Sequence, residues 1–309
     1  MKIFFIAFGV IIVIAIGSYF FMDFSTEEVA KAPTSATPGA TNQPSATEVT
    51  PEPTVEPEPE KPKTETVIGT SVEKREIKAY HYGKGDKEIL FIGGIHGGYS
   101  WNTALLAYEL MAYLKANPSV VPEEVKVTII PVLNPDGLFK VAGKIEGFTK
   151  ADVSTAQTTL VSGRFNANEV DLNRNFDCDW KASGTWQNKA VSGGAKTFSE
   201  PESQAIKTYA EANDLTAVVT WYSSAGGVFA SSCHNDILPE TLELTKAFAK
   251  ASGYKAYEEF DFYAISGDMV NWFAKNSTPA ISVLLSNHTD TEWEKNRAGV
   301  EAILKYYAE

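Results

Sequence analysis

The stretch Ile89-Leu90-Phe91-Ile92-Gly93-Gly94-Ile95-His96-Gly97-Gly98 joins four consecutive apolar residues to a glycine-rich turn that carries one histidine. Hydrophobicity that is continuous rather than alternating predicts a strand buried on both faces. Similar runs predict strands at 88–93, 125–133, 216–222 and 280–285. Amphipathic segments predict helices at 103–116, 200–213, 239–252, 267–275 and 292–307. We therefore predict an α/β fold with a central sheet, mostly parallel or mixed, flanked by helices.

Polar residues follow the ends of all four predicted strands. They are His96, the Asn-Pro-Asp-Gly segment 134–137, the pair Ser223-Ser224, and the Ser-Asn-His segment 286–288. In open α/β sheets, ligands bind in a crevice outside the carboxyl ends of the strands. The sequence therefore predicts that four strands deliver side chains to one site.

Length and charge limit the possible functions. The chain has 309 residues and a formal net charge of −12. A nucleic-acid-binding domain would present a basic face, so this charge balance argues against a nucleic-acid partner. Residues 67–309 suffice for one domain of α/β size with a large core.

The first part of the chain predicts a membrane anchor. Residues 3–22 form an apolar run without a charged side chain. Twenty helical residues at about 1.5 Å each cover the roughly 30 Å of a bilayer core, so we predict a transmembrane helix within 1–24. Lys2 precedes the run and acidic residues follow it, which predicts a single-pass protein of the cell membrane with its C-terminal domain outside. A cleaved signal peptide is the alternative, and it also exports the domain.

Residues 25–66 contain eight of the fifteen prolines, with many Thr, Ala and Glu residues between them. Such a segment lacks the apolar surface that would offset its ordering entropy, so we predict an extended, disordered stalk. The predicted organisation is an anchor at 1–24, a stalk at 25–66 and a folded domain at 67–309.

A second informative segment is Val170-Asp171-Leu172-Asn173-Arg174-Asn175-Phe176, which sets an Asn-Arg pair between apolar residues. Arg presents a planar fork of donors that meets both oxygens of a carboxylate, and Asn can add a donor beside it. A buried Arg without a carboxylate partner is costly. The pair therefore favours a carboxylate-binding role.

Four segments together resemble the zinc carboxypeptidase family: 94–98, 134–137, 171–176 and 263–268, within a resemblance that covers residues 70–308. The resemblance implies the fold predicted above and removal of a C-terminal amino acid by a zinc-activated water. In active members a His, a Glu three residues later and a second His hold the zinc, and a Glu on the last strand is the general base.

In this chain the metal positions of the family pattern are mostly replaced. The resemblance puts the first ligand at His96, the Glu ligand at Tyr99 (or Ser100 if the turn is one residue longer), the second His at Ser223 and the general base at Leu284. Zinc needs three or four N, S or carboxylate ligands, and leucine cannot take a proton from water. We therefore expect a degenerate metal site, with zinc weakly bound or absent and hydrolysis absent or atypical, as in a pseudoenzyme.

The carboxylate-binding positions of the family pattern are kept. The resemblance implies that Asn173, Arg174 and a mobile Tyr263 bind the C-terminal carboxylate of a peptide. It also implies catalytic roles for Arg164, as the oxyanion-stabilising residue, and for Tyr263. Asp171 is predicted to be a structural acceptor that orients Arg174 or nearby backbone donors.

The two cysteines allow two interpretations. Cysteines of an exported domain usually pair, so we predict a disulfide between Cys178 and Cys233. The alternative is a rebuilt metal site that the cysteines form with His96 and His234.

Two functional hypotheses follow. In the first, the protein is a membrane-anchored, extracellular member of the family that recognises the C-terminal carboxylate of peptides, including cell-wall peptides, without cleaving them. In the second, it is an active metallocarboxypeptidase or amidohydrolase with a rearranged metal site. A deacylase of N-acyl amino acids ranks below both, because it needs the same absent ligands.

Overall fold

The computed structural model describes residues 64–309. The predicted transmembrane anchor and nearly all of the predicted stalk lie outside the described residues. Within 64–309, no helix is both long enough and apolar enough to cross a membrane. The first strand begins at Glu65, two residues before the predicted domain boundary at 67.

The described residues form ten strands. They are β1 (Glu65–Thr70), β2 (Glu76–Gly83), β3 (Lys87–Ile92), β4 (Val125–Ile130), β5 (Ser183–Trp186), β6 (Lys189–Ser192), β7 (Leu215–Ser223), β8 (Gly227–Ala230), β9 (Lys255–Tyr257) and β10 (Ala280–Leu285). Eight of them form the main sheet, in the order β1-β2-β4-β3-β7-β10-β8-β9, while β5 and β6 form a separate hairpin.

Seven α-helices accompany the strands of the described chain. They are α1 (Trp101–Ala116), α2 (Pro135–Ala142), α3 (Gln157–Ser162), α4 (Pro201–Ala212), α5 (Pro239–Ser252), α6 (Met269–Lys275) and α7 (Trp293–Ala308). Each of the five helices predicted from the sequence is present, and no bound differs from its prediction by more than two residues.

The centre of the main sheet is parallel and its flanks are partly antiparallel. Strand β3 pairs in parallel with β4 and β7, and β7 pairs in parallel with β10. Strand β2 is antiparallel to both β1 and β4, and β8 is antiparallel to β10. The predicted α/β fold with a mixed sheet and flanking helices is confirmed.

Side chains along β3 alternate between two cores, which explains its unbroken hydrophobicity. Ile89 and Phe91 pack on the face covered by α1, α5 and α7. Leu90 and Ile92 pack on the opposite face, covered by α4 and α6. Each such fully buried side chain contributes about 1.5 to 3 kcal/mol. Because helices cover both faces, polar groups of the central strands can be presented together only at the strand ends.

Candidate functional site

The turn after β3 holds His96 at the carboxyl end of the central sheet. Gly97 has a φ of +42°, and a Cβ atom there would lie 2.6 Å from the carbonyl oxygen of Gly163. Both the backbone conformation and this contact exclude a side chain at the position. The turn thereby fixes His96, whose exposed fraction is only 5%.

His96 faces a buried carboxylate. Its Nε2 lies 3.5 Å from Oδ1 of Asp171, and neither ring nitrogen has a hydrogen-bond partner within the described part of the chain. Burial, together with the positive charge of Arg164, lowers the pKa of His96 to about 4. The imidazole is therefore neutral at physiological pH.

Asp171 forms a buried ion pair with Arg164. Nε and Nη2 of Arg164 both donate to Oδ2 of Asp171, over 3.0 and 2.8 Å. Burial opposes ionisation of Asp171, but the Arg164 charge outweighs burial and holds the pKa of the carboxyl well below its usual range. Asp171 is thus a structural acceptor, as predicted, but it orients Arg164 and not Arg174.

Asn173 lies in a short 3₁₀ helix, Leu172–Arg174, and lines the site. Its Nδ2 donates to Oδ2 of Asp268 over 2.7 Å. Its Oδ1 accepts from the hydroxyl of Tyr222 over 3.1 Å and from the backbone amide of Met269 over 3.2 Å. These bonds fix the orientation of the amide and leave one N–H of Nδ2 for a ligand.

Arg174 is buried, and its hydrogen-bond acceptors in the described chain are backbone carbonyls rather than carboxylates. Its Nη1 and Nη2 donate to the carbonyl oxygens of Ala264 and Thr185 over 3.5 and 3.3 Å, which is long for a charged donor. Its Cζ lies 5.9 Å from the ring centre of Tyr263. Thr185, Tyr263 and Ala264 line the cavity, whereas Arg174 itself does not. Arg174 therefore lies behind the lining residues that it contacts.

Tyr263 lies in the segment before α6 and is 47% exposed. Its ring packs edge-on against Phe260, with 4.9 Å between the ring centres. Phe260 in turn contacts Phe229 and Phe262, which also line the cavity. Tyr263 thus belongs to an aromatic wall and keeps its exposed edge free for a ligand.

Tyr99, which the family resemblance predicts at the position of the Glu ligand, belongs to a second aromatic wall. Its hydroxyl accepts from Nε2 of Gln187 over 3.0 Å, and its ring centre lies 4.9 Å from that of Trp186 and 4.5 Å from that of His288. The ring of Trp186 also lies 4.5 Å from Cζ of Arg164. The hairpin of β5 and β6 therefore packs on this side of the cavity.

Ser223 and Leu284, which the family resemblance predicts at the positions of the second His and the general base, line the same cavity. The hydroxyl of Ser223 donates to Oδ1 of Asn102 over 2.9 Å. Leu284 belongs to β10, pairs in register with Tyr222 of β7 and is 8% exposed. Neither side chain supplies the imidazole or carboxylate that the family pattern calls for.

The donors around His96 do not fit a zinc site. Across residues 64–309, no three His, Cys, Asp or Glu side chains are grouped as metal ligands.

Cys178 and Cys233 form a disulfide with Cα atoms 6.0 Å apart, which confirms the predicted pairing. His234 lies at the exposed rim, where its Nε2 is 2.6 Å from a carboxylate oxygen of Asp179. The alternative of a metal site rebuilt from the cysteines is therefore wrong, because disulfide sulfurs are not thiolate ligands.

One open cavity of about 730 Å³ brings these residues together. Residues that follow β3, β7 and β10 line it, as predicted for three of the four strand ends. The segment 134–137 after β4 does not line it. Asn134 instead caps α2 by accepting from the amide of Gly137, and it donates to the carbonyl oxygen of Arg164 over 3.2 Å.

The lining residues that sequence reasoning did not single out include Asp268, Trp186 and Gln187. Asp268 closes the segment 263–268 that carries part of the family resemblance, so the sequence held a signal for it. Trp186 and Gln187 lie at the tip of a hairpin with four-residue strands, for which no motif gives a signal.

A family model described as zinc carboxypeptidase matches residues 58–290. The chain belongs to the zinc carboxypeptidase family. Carboxypeptidase Z of Rattus norvegicus is 27% identical over 155 residues, which cover 48% of this chain and 22% of that protein. Carboxypeptidase Z of Homo sapiens is 26% identical over 180 residues, which cover 54% of this chain and 26% of that protein. The matched regions thus span about a quarter of the length of these curated relatives.

Solved structures share the zinc carboxypeptidase fold. Murein-tripeptide amidase MpaA from Escherichia coli O157 superposes with a TM-score of 0.57 at 19% identity, over 80% of this chain and 93% of that one. Bovine thrombin-activatable fibrinolysis inhibitor, in complex with a tick carboxypeptidase inhibitor, gives a TM-score of 0.60 at 17% identity, over 79% and 88% of the two chains. At these identities the likeness establishes the fold of this zinc carboxypeptidase family member.

Proposed function

We propose that this protein recognises peptides through a free C-terminal carboxylate, at the outer face of a membrane, and does not cleave them with a zinc-activated water. The ligands would include cell-wall peptides, and the structurally similar murein-tripeptide amidase carries such a peptide in its name. The transmembrane anchor of this proposal rests on residues 3–22 of the sequence, which lie outside the described residues.

The observation that carries the proposal is the guanidinium of Arg174. It is 3% exposed, and its two bonds to carbonyl oxygens are long. A carboxylate is the acceptor that a planar guanidinium binds best, in a bidentate arrangement. A peptide carboxylate that reached Arg174 past Tyr263 would therefore form stronger bonds than the carbonyl oxygens do.

Three further side chains of the site offer a hydrogen-bond donor or a positive charge to a terminal carboxylate. Asn173 keeps one free amide N–H at the cavity, and the hydroxyl of the half-exposed Tyr263 is free to turn toward a ligand. Arg164 lines the cavity and adds a positive charge, although its pairing with Asp171 reduces its effect. A terminal carboxylate would thus meet donors from several segments of the chain.

The donor set argues against cleavage. Leu284 cannot act as a general base, a role that is worth about 100- to 10,000-fold in rate. His96 is one imidazole where zinc needs three protein ligands, since Tyr99 and Ser223 supply neither imidazole nor carboxylate. A carboxylate-binding cavity without this machinery favours recognition over hydrolysis.

A second candidate is an amidohydrolase or carboxypeptidase with a rearranged metal site. His288 favours it, because its imidazole lines the same cavity as that of His96 and its Nδ1 has no hydrogen-bond partner in residues 64–309. Two imidazoles still fall short of the three ligands of a catalytic zinc site, so we rank this candidate second.

Calorimetric titration of the purified full chain in detergent would test the proposal. The ligands are pairs of short peptides that differ only in a free or amidated C-terminus. Amidation should weaken binding by several kcal/mol, because each charged hydrogen bond contributes about 1.5 to 3 kcal/mol. Arg174→Met should remove most of this difference, whereas Arg297→Met, at a partly exposed guanidinium of α7 paired with Glu294 and Glu301, should preserve it. Equal affinity for both peptide forms would overturn the proposal.

Release of the C-terminal amino acid separates the two candidates. Incubation of the unmodified chain with a peptide, followed by mass spectrometry, should show no shortened product. Release that stops when a chelator is added would reject recognition without cleavage and support the rearranged metal site.

A further inference from the structure

The hairpin of β5 and β6 forms part of the cavity wall, because three of its consecutive residues contact the site. The carbonyl oxygen of Thr185 accepts from Nη2 of Arg174 over 3.3 Å. The ring of Trp186 packs edge-on against that of Tyr99, with 4.9 Å between the ring centres. Nε2 of Gln187 donates to the hydroxyl of Tyr99 over 3.0 Å. The hairpin therefore runs from the buried Arg174 to the Tyr99 side of the cavity.

The turn of this hairpin consists of Gln187 and Asn188, which have φ angles of +47° and +60°. Two-residue hairpin turns with positive φ favour Asn and Gly, because few other residues adopt this conformation easily. The turn therefore explains Asn188 but not Gln187. Strained backbone of this kind clusters at binding sites, where surrounding contacts hold it. The reason for glutamine at this position then lies in its side chain, which is exposed and lines the cavity.

The side-chain amide of Gln187 has hydrogen-bonding groups left for a ligand. Its bond to Tyr99 uses one hydrogen of Nε2 and fixes the amide at the cavity wall. Within residues 64–309, Oε1 and the second hydrogen of Nε2 form no hydrogen bond. One free donor beside one free acceptor matches a peptide group, which offers one N–H and one C=O.

The polar groups next to Gln187 are uncharged. The ring of Tyr99 also contacts His288, whose Nε2 lies 3.3 Å from the hydroxyl of Ser224. Burial, together with the positive charge of Arg164, lowers the pKa of His288, so its imidazole is neutral at physiological pH. This side of the cavity therefore suits an uncharged polar part of a ligand, such as a peptide backbone.

The position of Gln187 along the hairpin indicates which part of a bound peptide it meets. Thr185 and Gln187 are two residues apart, and an extended chain advances about 3.3 Å per residue. A peptide whose carboxylate binds Arg174 and whose chain runs beside the hairpin advances by the same step. Gln187 would then meet this peptide about two residues before its end. The cavity, at about 730 Å³, is far larger than a carboxylate group alone requires.

We propose that the side-chain amide of Gln187 binds the backbone of the peptide upstream of its last residue, so that the ligand is an extended peptide of at least three residues. The inference rests on the proposed function, since Arg174 fixes the end of the peptide from which the distance is counted. At this subsite the protein recognises the peptide group itself and not a particular side chain.

A set of N-acetylated tetra-alanine peptides with a free carboxylate tests the inference, by calorimetric titration of the full chain in detergent. Each member replaces one amide bond between two alanines by an ester, which removes a single N–H and preserves the shape of the chain. An ester at one of the first two of these bonds should weaken binding about fivefold relative to the all-amide peptide, because one hydrogen bond to Gln187 is lost.

The variant Gln187→Leu assigns this ester penalty to the side chain. Leucine has a similar size but no donor or acceptor, so the penalty should disappear while the preference for a free over an amidated C-terminus remains. Tyr99→Phe removes the partner of Gln187 but keeps its amide, so the penalty should persist. Gln204→Leu is the matched control, at an exposed glutamine that does not line the cavity, and it should bind all the peptides as the unmodified chain does.

The outcomes separate this inference from the proposed function. Equal binding of the all-amide peptide and every ester peptide, or a penalty that survives Gln187→Leu, would overturn the role of Gln187 and leave carboxylate recognition in place. Equal binding of the free and amidated all-amide peptides would overturn carboxylate recognition. If no peptide binds, both are rejected. Gln187→Ala gives the same comparison if Gln187→Leu fails to fold.

Discussion

Nε2 of His96 lies 3.5 Å from Oδ1 of Asp171, and both side chains are buried. A carboxylate behind a histidine is the arrangement that orients imidazole ligands in zinc sites. The chain therefore has a His-carboxylate pair of this kind, while the family resemblance predicts Tyr99, Ser223 and Leu284 at the remaining ligand and base positions, and all three line the cavity.

The pair of His96 and Asp171 predicts that zinc binding can be restored. The triple variant Tyr99→Glu, Ser223→His and Leu284→Glu returns two ligands and the base to lining positions around His96. Three protein ligands are what a catalytic zinc site uses, so the variant should retain about one zinc per chain after dialysis. Elemental analysis by mass spectrometry measures the metal directly.

The unmodified chain and the single variant Leu284→Glu are the controls for restoration. Neither gains a ligand next to His96, so both should lose zinc on dialysis. Stoichiometric zinc in the unmodified chain would show that the side chains around His96 do form a zinc site.

The ion pair of Arg164 and Asp171 should be the most costly polar interaction of the site to break. The variant Asp171→Asn leaves the guanidinium buried without its counterion, which typically costs about 3 to 5 kcal/mol. Urea denaturation should show a loss of this size in the free energy of unfolding. Asp177→Asn, which breaks the exposed pair with Lys275, should cost less than about 1 kcal/mol. Similar losses for the two variants would contradict the structure.

The central strands were predictable because helices bury both of their faces. Strand β10 spans Ala280–Leu285, as predicted, and only the end of β4 differs by more than one residue, since the strand stops before Pro131. Strands β8 and β9 have only four and three residues, too few to establish a pattern. Strand β2 mixes buried and half-buried residues and carries lysine and histidine, so its hydrophobic signal is weak.

The sequence predicted those site residues that belong to a recognisable motif. It did not predict the residues that tertiary packing brings to the site from other segments. The segment 171–176 identified Asn173 and Arg174 but not their partners, Asp268 in a distant segment and the carbonyl oxygen of Thr185 in the hairpin. Asp171 was predicted to orient Arg174 or nearby backbone donors, but its carboxylate binds Arg164. Both arginines are near Asp171 in sequence, and only the fold decides which one reaches it.

The disulfide should contribute substantially to stability. Cys178 and Cys233 close a loop with a sequence separation of 55 residues, and cross-linking a loop of this size constrains the unfolded chain by roughly 4 kcal/mol. The double variant Cys178→Ser with Cys233→Ser should therefore unfold at clearly lower urea concentration. Labelling with iodoacetamide should modify neither cysteine without a reductant, and modification of both would show that the bond is not formed.

The buried carboxylate Glu88 should make stability depend on pH in the acid range. Burial opposes its ionisation, but hydrogen bonds from Thr128 and Tyr209 and the Lys126 ammonium outweigh burial and lower its pKa. Because the folded pKa lies below the unfolded one, the stabilisation is present above the unfolded pKa of about 4.5 and is lost as pH falls through the folded pKa.

Removal of one donor to Glu88 tests this dependence. The hydroxyl of Tyr209 donates to Oε1 of Glu88 over 2.6 Å, so Tyr209→Phe should cost about 1 to 3 kcal/mol at pH 7. The cost should shrink below about pH 4, because protonated Glu88 gains less from the donor. Tyr113→Phe removes a similar bond to Glu301, which is less buried than Glu88, and should cost less than about 1 kcal/mol at either pH. A cost for Tyr209→Phe that does not change between pH 7 and pH 3, measured by urea denaturation, would show that Glu88 does not depend on this bond for its ionisation.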